Sequence, residues 1–228
     1  MRVKARASVT LLFAVLVPTV HLGDVQADPI ENWVWYAELG FGGPIPKSYD
    51  VVVGNGVGPG DYEPDPGFGM AVAFGAYVTP RWRAELTLAF ATAGDGELTG
   101  TAAGVQPHFG DVYVYSPMVN AFYEFDRFDG TKITPWIGFG AGAQIYDYQG
   151  LGPVAGPYIV NDTAAAPFGA LHFGLDYELT PRIDVLAKYS LVVVGDHDVV
   201  GTGQTAVAVD GGVENTIFAG FRYRLSGE

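Results

Sequence analysis

The residues best suited to acid–base chemistry form one short run and one isolated position. Asp196-His197-Asp198 places a histidine between two carboxylates, and Asp95 lies in another polar segment. A histidine oriented by a carboxylate can act as a general base and activate water. His172 is followed by Phe173 and Gly174, so it has no serine two positions away to act as a nucleophile. We therefore predict no catalytic residue, and hydrolysis that uses His197 or His172 stays open as an alternative.

Most other charges in the apolar parts of the chain occur in pairs that share one parity. The pairs are Arg83/Glu85, Asp176/Glu178, Asp184/Lys188 and Arg222/Arg224. Within each of these segments the opposite parity carries no charge. Because residues i and i+2 of a β-strand point to the same face, each segment has one charged face and one almost wholly apolar face.

The composition favours strands over helices. The chain has 14 Phe, 13 Tyr, 4 Trp, 32 Gly and 15 Pro, and few apolar stripes of helical period. Eight segments approach the roughly 9–11 residues with which a tilted strand spans a bilayer. They lie near Trp33–Gly42, Phe68–Val78, Arg83–Ala93, Val112–Phe125, Lys132–Asp147, Phe168–Leu179, Ile183–Val193 and Val213–Leu225. Short turns at 79–82, 126–131 and 180–182 alternate with long connections near 43–67, 94–111, 148–167 and 194–212.

The direction of the apolar faces decides between a soluble barrel and a membrane barrel. The charged faces also carry small residues such as Ala71, Gly138 and Gly140, which fit a narrow barrel interior but would weaken an exposed strand. A basic side chain facing lipid at the bilayer midplane costs about 2–4 kcal/mol. A strand that spans a membrane must therefore keep its charged side chains on the face away from lipid. We predict an all-β fold: an eight-stranded antiparallel up-and-down transmembrane β-barrel with short periplasmic turns and long extracellular loops.

The N-terminal residues have the pattern of an export signal. Arg2, Lys4 and Arg6 precede an apolar stretch, and Val25-Gln26-Ala27 supplies small residues at the positions that a signal peptidase reads. We predict a cleaved signal peptide at 1–27, a single barrel domain at 28–228, and location in the cell outer membrane.

The charged faces predict a polar interior, which we interpret as a network of ion pairs that fills the barrel. Buried charges need opposite neighbours, and narrow barrels are usually filled by side chains. A gate or a narrow polar pathway is the alternative. The predicted network contains Glu38, Arg83, Glu85, Glu124, Lys132, His172, Asp176, Glu178, Asp184, Lys188, Arg222 and Arg224.

The long connections are strongly acidic, and the chain as a whole has a formal net charge of −13. This acidity argues against nucleic acid as a partner, because phosphates would be repelled. Two interpretations stay open: the acidic residues share divalent cations with lipopolysaccharide phosphates, or they serve solubility alone. We predict no cofactor and no dedicated metal site. The acidic residues of these connections are Asp50, Asp61, Glu63, Asp65, Asp95, Glu97, Asp111, Asp147, Asp162, Asp196, Asp198, Asp210 and Glu214, against the single basic residue Lys47.

Four segments together resemble the small outer-membrane β-barrel family of opacity-type proteins and OmpA-like N-terminal domains. They are TPRWRAELTLAF (79–90), TPWIGFGAGAQIY (134–146), ELTPRIDVLAKYSL (178–191) and NTIFAGFRYRL (215–225). The resemblance implies insertion by the barrel-assembly machinery, with Gly220, Tyr223 and Leu225 as its recognition signal. The chain departs from that signal because it ends in Ser226-Gly227-Glu228 instead of an aromatic residue.

These observations predict a non-enzymatic outer-membrane protein with a structural or surface-interaction role, in contact with outer-membrane lipid and lipopolysaccharide. The alternatives are a narrow pore or conduit for small or hydrophobic solutes, and a barrel that hydrolyses lipid A or peptides.

Overall fold

The computed structural model describes residues 30–45, 47–53, 58–65, 67–93, 96–101, 104–153 and 159–225. The predicted signal peptide and the residues 226–228 lie outside this range. In the described part of the chain no helix is long and apolar enough to cross a membrane.

The described residues form one antiparallel sheet of thirteen strands and two short 3-10 helices, Ile30–Asn32 and Thr202–Gln204. The strands are β1 (Val34–Pro44), β2 (Tyr49–Val53), β3 (Gly58–Pro64), β4 (Gly69–Tyr77), β5 (Trp82–Ala93), β6 (Gly96–Thr101), β7 (Gly104–Glu124), β8 (Ile133–Pro153), β9 (Val160–Thr180), β10 (Ile183–Val194), β11 (His197–Gly201), β12 (Thr205–Val209) and β13 (Gly212–Arg224).

The strand pairings close into two rings that share β7, β8 and β9. The turn-end ring runs β1–β4–β5–β7–β8–β9–β10–β13, and β13 pairs again with β1. The far-end ring runs β7–β6–β3–β2–β12–β11–β9–β8, and β8 pairs again with β7. The turn end carries the predicted short turns, and the far end carries the segments predicted to be long loops.

The prediction of long loops is therefore wrong for most of their length. Five strands, β2, β3, β6, β11 and β12, lie within those segments. The strands β7, β8 and β9, of 21 residues each, extend into them. A long segment near a sheet satisfies its backbone N–H and C=O groups most completely by extending the ladder. Some of the Gly and Pro residues that suggested loops lie within strands, such as Pro59 and Gly60 in β3. Gly110 lies at a bulge: its φ is 127°, and the β7–β8 register shifts there.

The two faces of the turn-end ring follow the parity of the charged residues. In β10, Asp184, Leu186, Lys188, Ser190 and Val192 are all buried, and Ala187 and Tyr189 on the other face are exposed. The same alternation places Arg222 inside and Phe221 outside. The outer face is a band of exposed large apolar side chains, including Val72, Phe74, Leu86, Leu88, Val119, Phe139, Leu171, Phe173, Leu175, Ile217 and Phe221.

Candidate functional site: an ion-paired plug below an apolar chamber

The interior of the turn-end ring is filled by a cluster of charged and aromatic side chains, which we call the plug. Adjacent strands bring together residues that are far apart in sequence, because each contributes its inward parity. The plug consists of Tyr36, Glu38, Tyr77, Arg83, Glu85, Thr87, Asn120, Phe122, Glu124, Trp136, Asp176 and Arg222.

Arg222 is the centre of the plug and is fully buried. Its guanidinium donates to the Glu38 carboxylate from Nε at 3.2 Å and from Nη2 at 3.0 Å. Its Nη1 donates to Asp176 and, at 3.3 Å, to the Tyr77 hydroxyl. That hydroxyl in turn donates to Glu124 at 2.7 Å. One cation therefore holds carboxylates from β1 and β9, and the guanidinium fork suits such multiple contacts.

Arg83 is the second buried cation. Its Nη1 lies 3.3 Å from Glu85 and its Nε 3.3 Å from Glu124. The guanidinium carbon lies 3.9 Å from the centroid of the Phe122 ring, a cation–π distance. Asn120 and Thr87 continue this network: the amide donates to the Thr87 hydroxyl at 2.8 Å, and that hydroxyl donates to Glu85 at 2.7 Å.

Glycines make room for these large side chains. A Cβ placed on Gly138 would lie 2.2 Å from the Phe122 ring, and one on Gly174 would lie 2.0 Å from the Trp136 ring. Trp136 uses this space to donate from its ring nitrogen to Asp176 at 2.8 Å. The predicted role of small residues on the charged faces thus has a geometric basis in these two contacts.

His172 and Lys188 lie above the plug, toward the middle of the molecule. One ring nitrogen of His172 is 2.8 Å from the Ser190 hydroxyl and the other is 3.2 Å from the Asn120 side-chain oxygen. Lys188 reaches down to Glu38, with 3.5 Å between Nζ and Oε1. A Ser–His–Asn grouping can in principle perform acyl transfer. Here, however, the backbone around Ser190 pairs with β9 on one side and β13 on the other, so its N–H groups point along the sheet and cannot form an oxyanion hole.

The remaining predicted network residues lie at the rim of the turn end. Arg224 donates to Asp184 at 2.7 Å, with 27% of the Arg224 side chain exposed. Glu178 accepts from Arg127, a turn residue that the sequence analysis missed. The prediction that Lys132 faces the interior is wrong: it is exposed, because β8 begins one residue later at Ile133 and Lys132 belongs to the turn.

The residues of the predicted assembly signal lie near the end of β13. Tyr223 and Leu225 are exposed on the apolar outer face, and Gly220 is buried. A Cβ on Gly220 would lie 2.1 Å from the Leu39 carbonyl oxygen of β1. This glycine therefore permits close approach of the two strands that close the turn-end ring.

Above the plug the interior becomes a largely apolar cavity of about 200 Å³, which we call the chamber. Thr87, His172, Lys188 and Ser190 line it at the plug side, and Phe168 and Phe218 lie on its walls. Sequence reasoning missed it because about half of its walls come from the segments predicted to be loops. Its buried apolar residues from those segments are Val51, Val53, Leu98, Tyr148, Leu151, Val160, Val194, Val199 and Val207.

A small polar group interrupts the apolar wall of the chamber. Tyr49 donates to the buried carboxylate of Glu214 at 3.0 Å, and Gln144 donates to it at 3.3 Å. Tyr146 stacks on His197 with 4.3 Å between ring centroids. Burial lowers the pKa of His197, so this histidine is neutral near pH 7. His197 bonds to the Tyr148 hydroxyl at 2.8 Å and contacts no serine, threonine or carboxylate at hydrogen-bond distance among the described residues.

The acidic residues of the far end mostly lie on strands of the far-end ring. Asp50 is directly opposite Asp61, and Glu63 is directly opposite Glu97. A hydrogen bond with Asp50 raises the pKa of Asp61. Within the described ranges no group of three or more His, Cys, Asp or Glu residues has the geometry of a metal site. Asp95 lies outside the described residues.

Several solved structures, including the following three, are similar to this chain. The outer membrane protein OprG from Pseudomonas aeruginosa is 15% identical with a TM-score of 0.56, covering 86% of this chain and 96% of OprG. The outer membrane protein AlkL, determined in DMPC lipid bilayers, is 15% identical with a TM-score of 0.55, covering 89% of this chain and 96% of AlkL. Neisserial surface protein A is 16% identical with a TM-score of 0.50, covering 84% of this chain and 97% of the other.

No model of a protein family matches the chain, and no curated protein sequence is similar to it. The likeness to the solved structures concerns the fold. The chain therefore has the fold of the small outer-membrane β-barrel proteins.

Proposed function

We propose that this protein is a non-enzymatic, eight-stranded β-barrel of the bacterial outer membrane whose chamber binds a small apolar molecule. In this proposal β2, β3, β6, β11 and β12 continue the strands of the turn-end ring beyond the membrane. The turn end faces the periplasm and the far end faces the exterior. The exposed apolar band around the turn-end ring supports a lipid-facing surface there.

The observation that carries the proposal is the position of the chamber directly above the plug. Binding sites for small molecules are concave, mostly apolar, and contain a few oriented polar groups, and the chamber has all three properties. The plug supports binding over straight passage, because its side chains occupy the interior from Arg222 to Thr87. The geometry thus favours the hydrophobic-solute alternative over the surface-interaction role that the sequence suggested first.

A neutral alkanol tests this proposal. Methyl NMR of the protein in phosphatidylcholine nanodiscs, titrated with octan-1-ol, should shift the signals of Val51, Val199 and Val207, which face the chamber. Val52 and Val200 are the internal references, because they lie on the outer face of the same strands and are 47% and 45% exposed. Equal shifts on both faces would indicate non-specific association of octan-1-ol with the protein and would contradict the proposal.

A matched pair of variants blocks the chamber or leaves it open. Val199→Trp places a large ring inside it and should abolish the octan-1-ol shifts at Val51 and Val207. Val200→Trp adds the same ring to the outer face of β11 and should leave these shifts unchanged. Heat-modifiable migration on detergent gels verifies that each variant is folded.

The non-enzymatic part of the proposal has its own test. Ser190 is buried and lacks backbone donors directed at it, so a fluorophosphonate probe should not label it. Labelling that disappears in both Ser190→Ala and His172→Ala would establish an activated serine and would overturn this part.

A further inference from the structure

The chamber contains one buried carboxylate, Glu214, that is not ion-paired. Its side chain is 8% exposed and faces the interior from β13. One oxygen accepts from the Tyr49 hydroxyl at 3.0 Å and the other from the Gln144 amide at 3.3 Å. A carboxylate offers about four acceptor positions, so about two are free on the side of the cavity.

The charge of Glu214 contrasts with those in the plug. There, Glu38, Glu85, Glu124 and Asp176 each lie within 4.0 Å of an arginine or lysine nitrogen. Among the residues that the structure describes, none supplies a basic nitrogen within that distance of Glu214. Lys47 lines the same chamber but forms no ion pair with Glu214. A buried carboxylate without a direct ion-pair partner is costly, so the site favours the arrival of a cation.

The surrounding side chains suit a cation attached to an apolar body. The other Lys, His and acidic residues that line the chamber are Lys47, Asp65, His108, His172, Lys188, His197 and Asp210. Lys188 is engaged with Glu38, and the Lys47 ammonium lies over the Tyr49 ring at 4.5 Å from its centroid. That contact shows an ammonium group bound to one face of the Tyr49 ring in this chamber. Tyr146 and Tyr148, with 6.1 Å between their centroids, add two more rings to the same wall.

We propose that the ligand of the chamber is a cationic amphiphile, an alkylammonium whose head pairs with Glu214 beside Tyr49 and Tyr146. The alkyl chain then contacts the apolar wall at Val51, Leu98 and Val199. The acidic residues around the far end raise the local concentration of such cations. This inference rests on the proposed function, since it names the class of molecule that the chamber binds.

The test compares three eight-carbon probes on the unmodified protein in phosphatidylcholine nanodiscs: octylammonium, octan-1-ol and octanoate. Binding is followed by the chamber methyl signals of Val51, Val199 and Val207. Octylammonium should bind about 10-fold more tightly than octan-1-ol, the size expected for one partly desolvated ion pair with aromatic contacts. Octanoate should bind more weakly than octan-1-ol, because Glu214 repels it.

The variant Glu214→Gln keeps an oxygen for Tyr49 and removes the charge. It should abolish the preference for octylammonium and leave octan-1-ol binding unchanged. Glu97→Gln is the control, because Glu97 is an exposed carboxylate on β6 of the far-end ring and does not line the chamber, and it should keep the preference. If Glu214→Gln does not fold, the relative affinities of the three probes for the unmodified protein still test the proposal.

The outcomes separate this inference from the proposed function. If octan-1-ol binds and octylammonium binds no more tightly, the cationic ligand is excluded and the apolar chamber stands. If none of the three probes shifts the chamber methyl signals, both proposals fail.

Discussion

The guanidinium of Arg222 and the carboxylate of Glu38 lie 184 positions apart in sequence and share two hydrogen bonds, of 3.2 Å and 3.0 Å, inside the turn-end ring. Their strands, β13 and β1, pair directly, with Glu38 opposite Arg222. This contact therefore fixes the seam where the last strand of the chain meets the first. The same pair also fills the interior just where a straight passage would have to run.

Removal of the Arg222 charge should destabilise the protein strongly. Arg222→Leu leaves the buried Glu38 and Asp176 carboxylates without their main counter-charge, which costs about 3–5 kcal/mol in comparable sites. Arg81→Leu is the control: its ion pair with Asp126 is solvent-exposed on both sides, so its loss should change the stability little. Equilibrium unfolding by guanidinium chloride in phospholipid vesicles measures both. Equal effects of the two substitutions would contradict the central role of Arg222.

The alternation of apolar and charged residues predicted much of this arrangement. Strand positions in the turn-end ring agree with the predicted segments to within a few residues at the turn end, because a period of two is a strong signal over ten residues. The same parity placed Glu38, Arg83 and Asp176 on the buried face. Parity does not identify partners, however. Which cation meets which carboxylate depends on register across the ring, and Arg127 joins Glu178 through a turn whose geometry the sequence does not specify.

The sequence analysis did not predict the chamber, although the sequence contains a pattern that indicates it. Tyr146 and Tyr148 continue the inward parity of Trp136 and Gln144 along β8, and Val207 and Val209 alternate in the same way on β12. Glycine and proline between these stretches suggested loops, so the alternation beyond them was not followed. The strands at the far end form by pairing between segments that are distant in sequence, such as Val51 with Val209. No local sequence pattern predicts that pairing.

Substitution of Gly174 should destabilise the protein more than substitution of Gly40, although both glycines lie on the inner face of the turn-end ring. In Gly174→Ala the new methyl group would meet the Trp136 ring at 2.0 Å, so the ring must move and its hydrogen bond to Asp176 is lost. In Gly40→Ala the nearest atom is a Phe218 ring carbon at 3.6 Å, an ordinary contact. We expect a loss of about 1–3 kcal/mol for the first and little change for the second. Denaturant unfolding measures the stability, and Trp136 fluorescence reports the displacement of the ring.

The plug should prevent steady ion conduction. Purified protein in planar bilayers should show no stable conductance steps, because the charged side chains of the plug are paired with one another and packed against Phe122 and Trp136. Lys188→Met should also show no conductance steps, since the plug residues below position 188 still fill the interior. Steady channels in the unmodified protein that vanish in Lys188→Met would instead establish a conducting polar pathway and would contradict the plug.

Repulsion between Asp50 and Asp61 should make the far-end ring less stable at neutral pH than at acid pH. These residues are directly opposite on β2 and β3, and like charges in such positions destabilise a strand pair. The hydrogen bond with Asp50 raises the pKa of Asp61, so the folded state holds its proton to a higher pH than the unfolded state does. The folded strand pair is therefore favoured below the raised pKa, and this advantage is lost as the pH rises through it.

Hydrogen exchange of the Val51 and Gly60 amides, which belong to paired residues next to this site, measures the opening of the β2–β3 pair. Exchange, corrected for its intrinsic pH dependence, should show more protection at acid pH. Asp61→Asn should raise protection at neutral pH and remove the pH dependence. Mg²⁺ should have the same protective effect on the unmodified protein if the acidic residues share divalent cations, and no effect on Asp61→Asn. Protection that is independent of both pH and Mg²⁺ in the unmodified protein would show that these carboxylates are solvated separately and would leave solubility as their role.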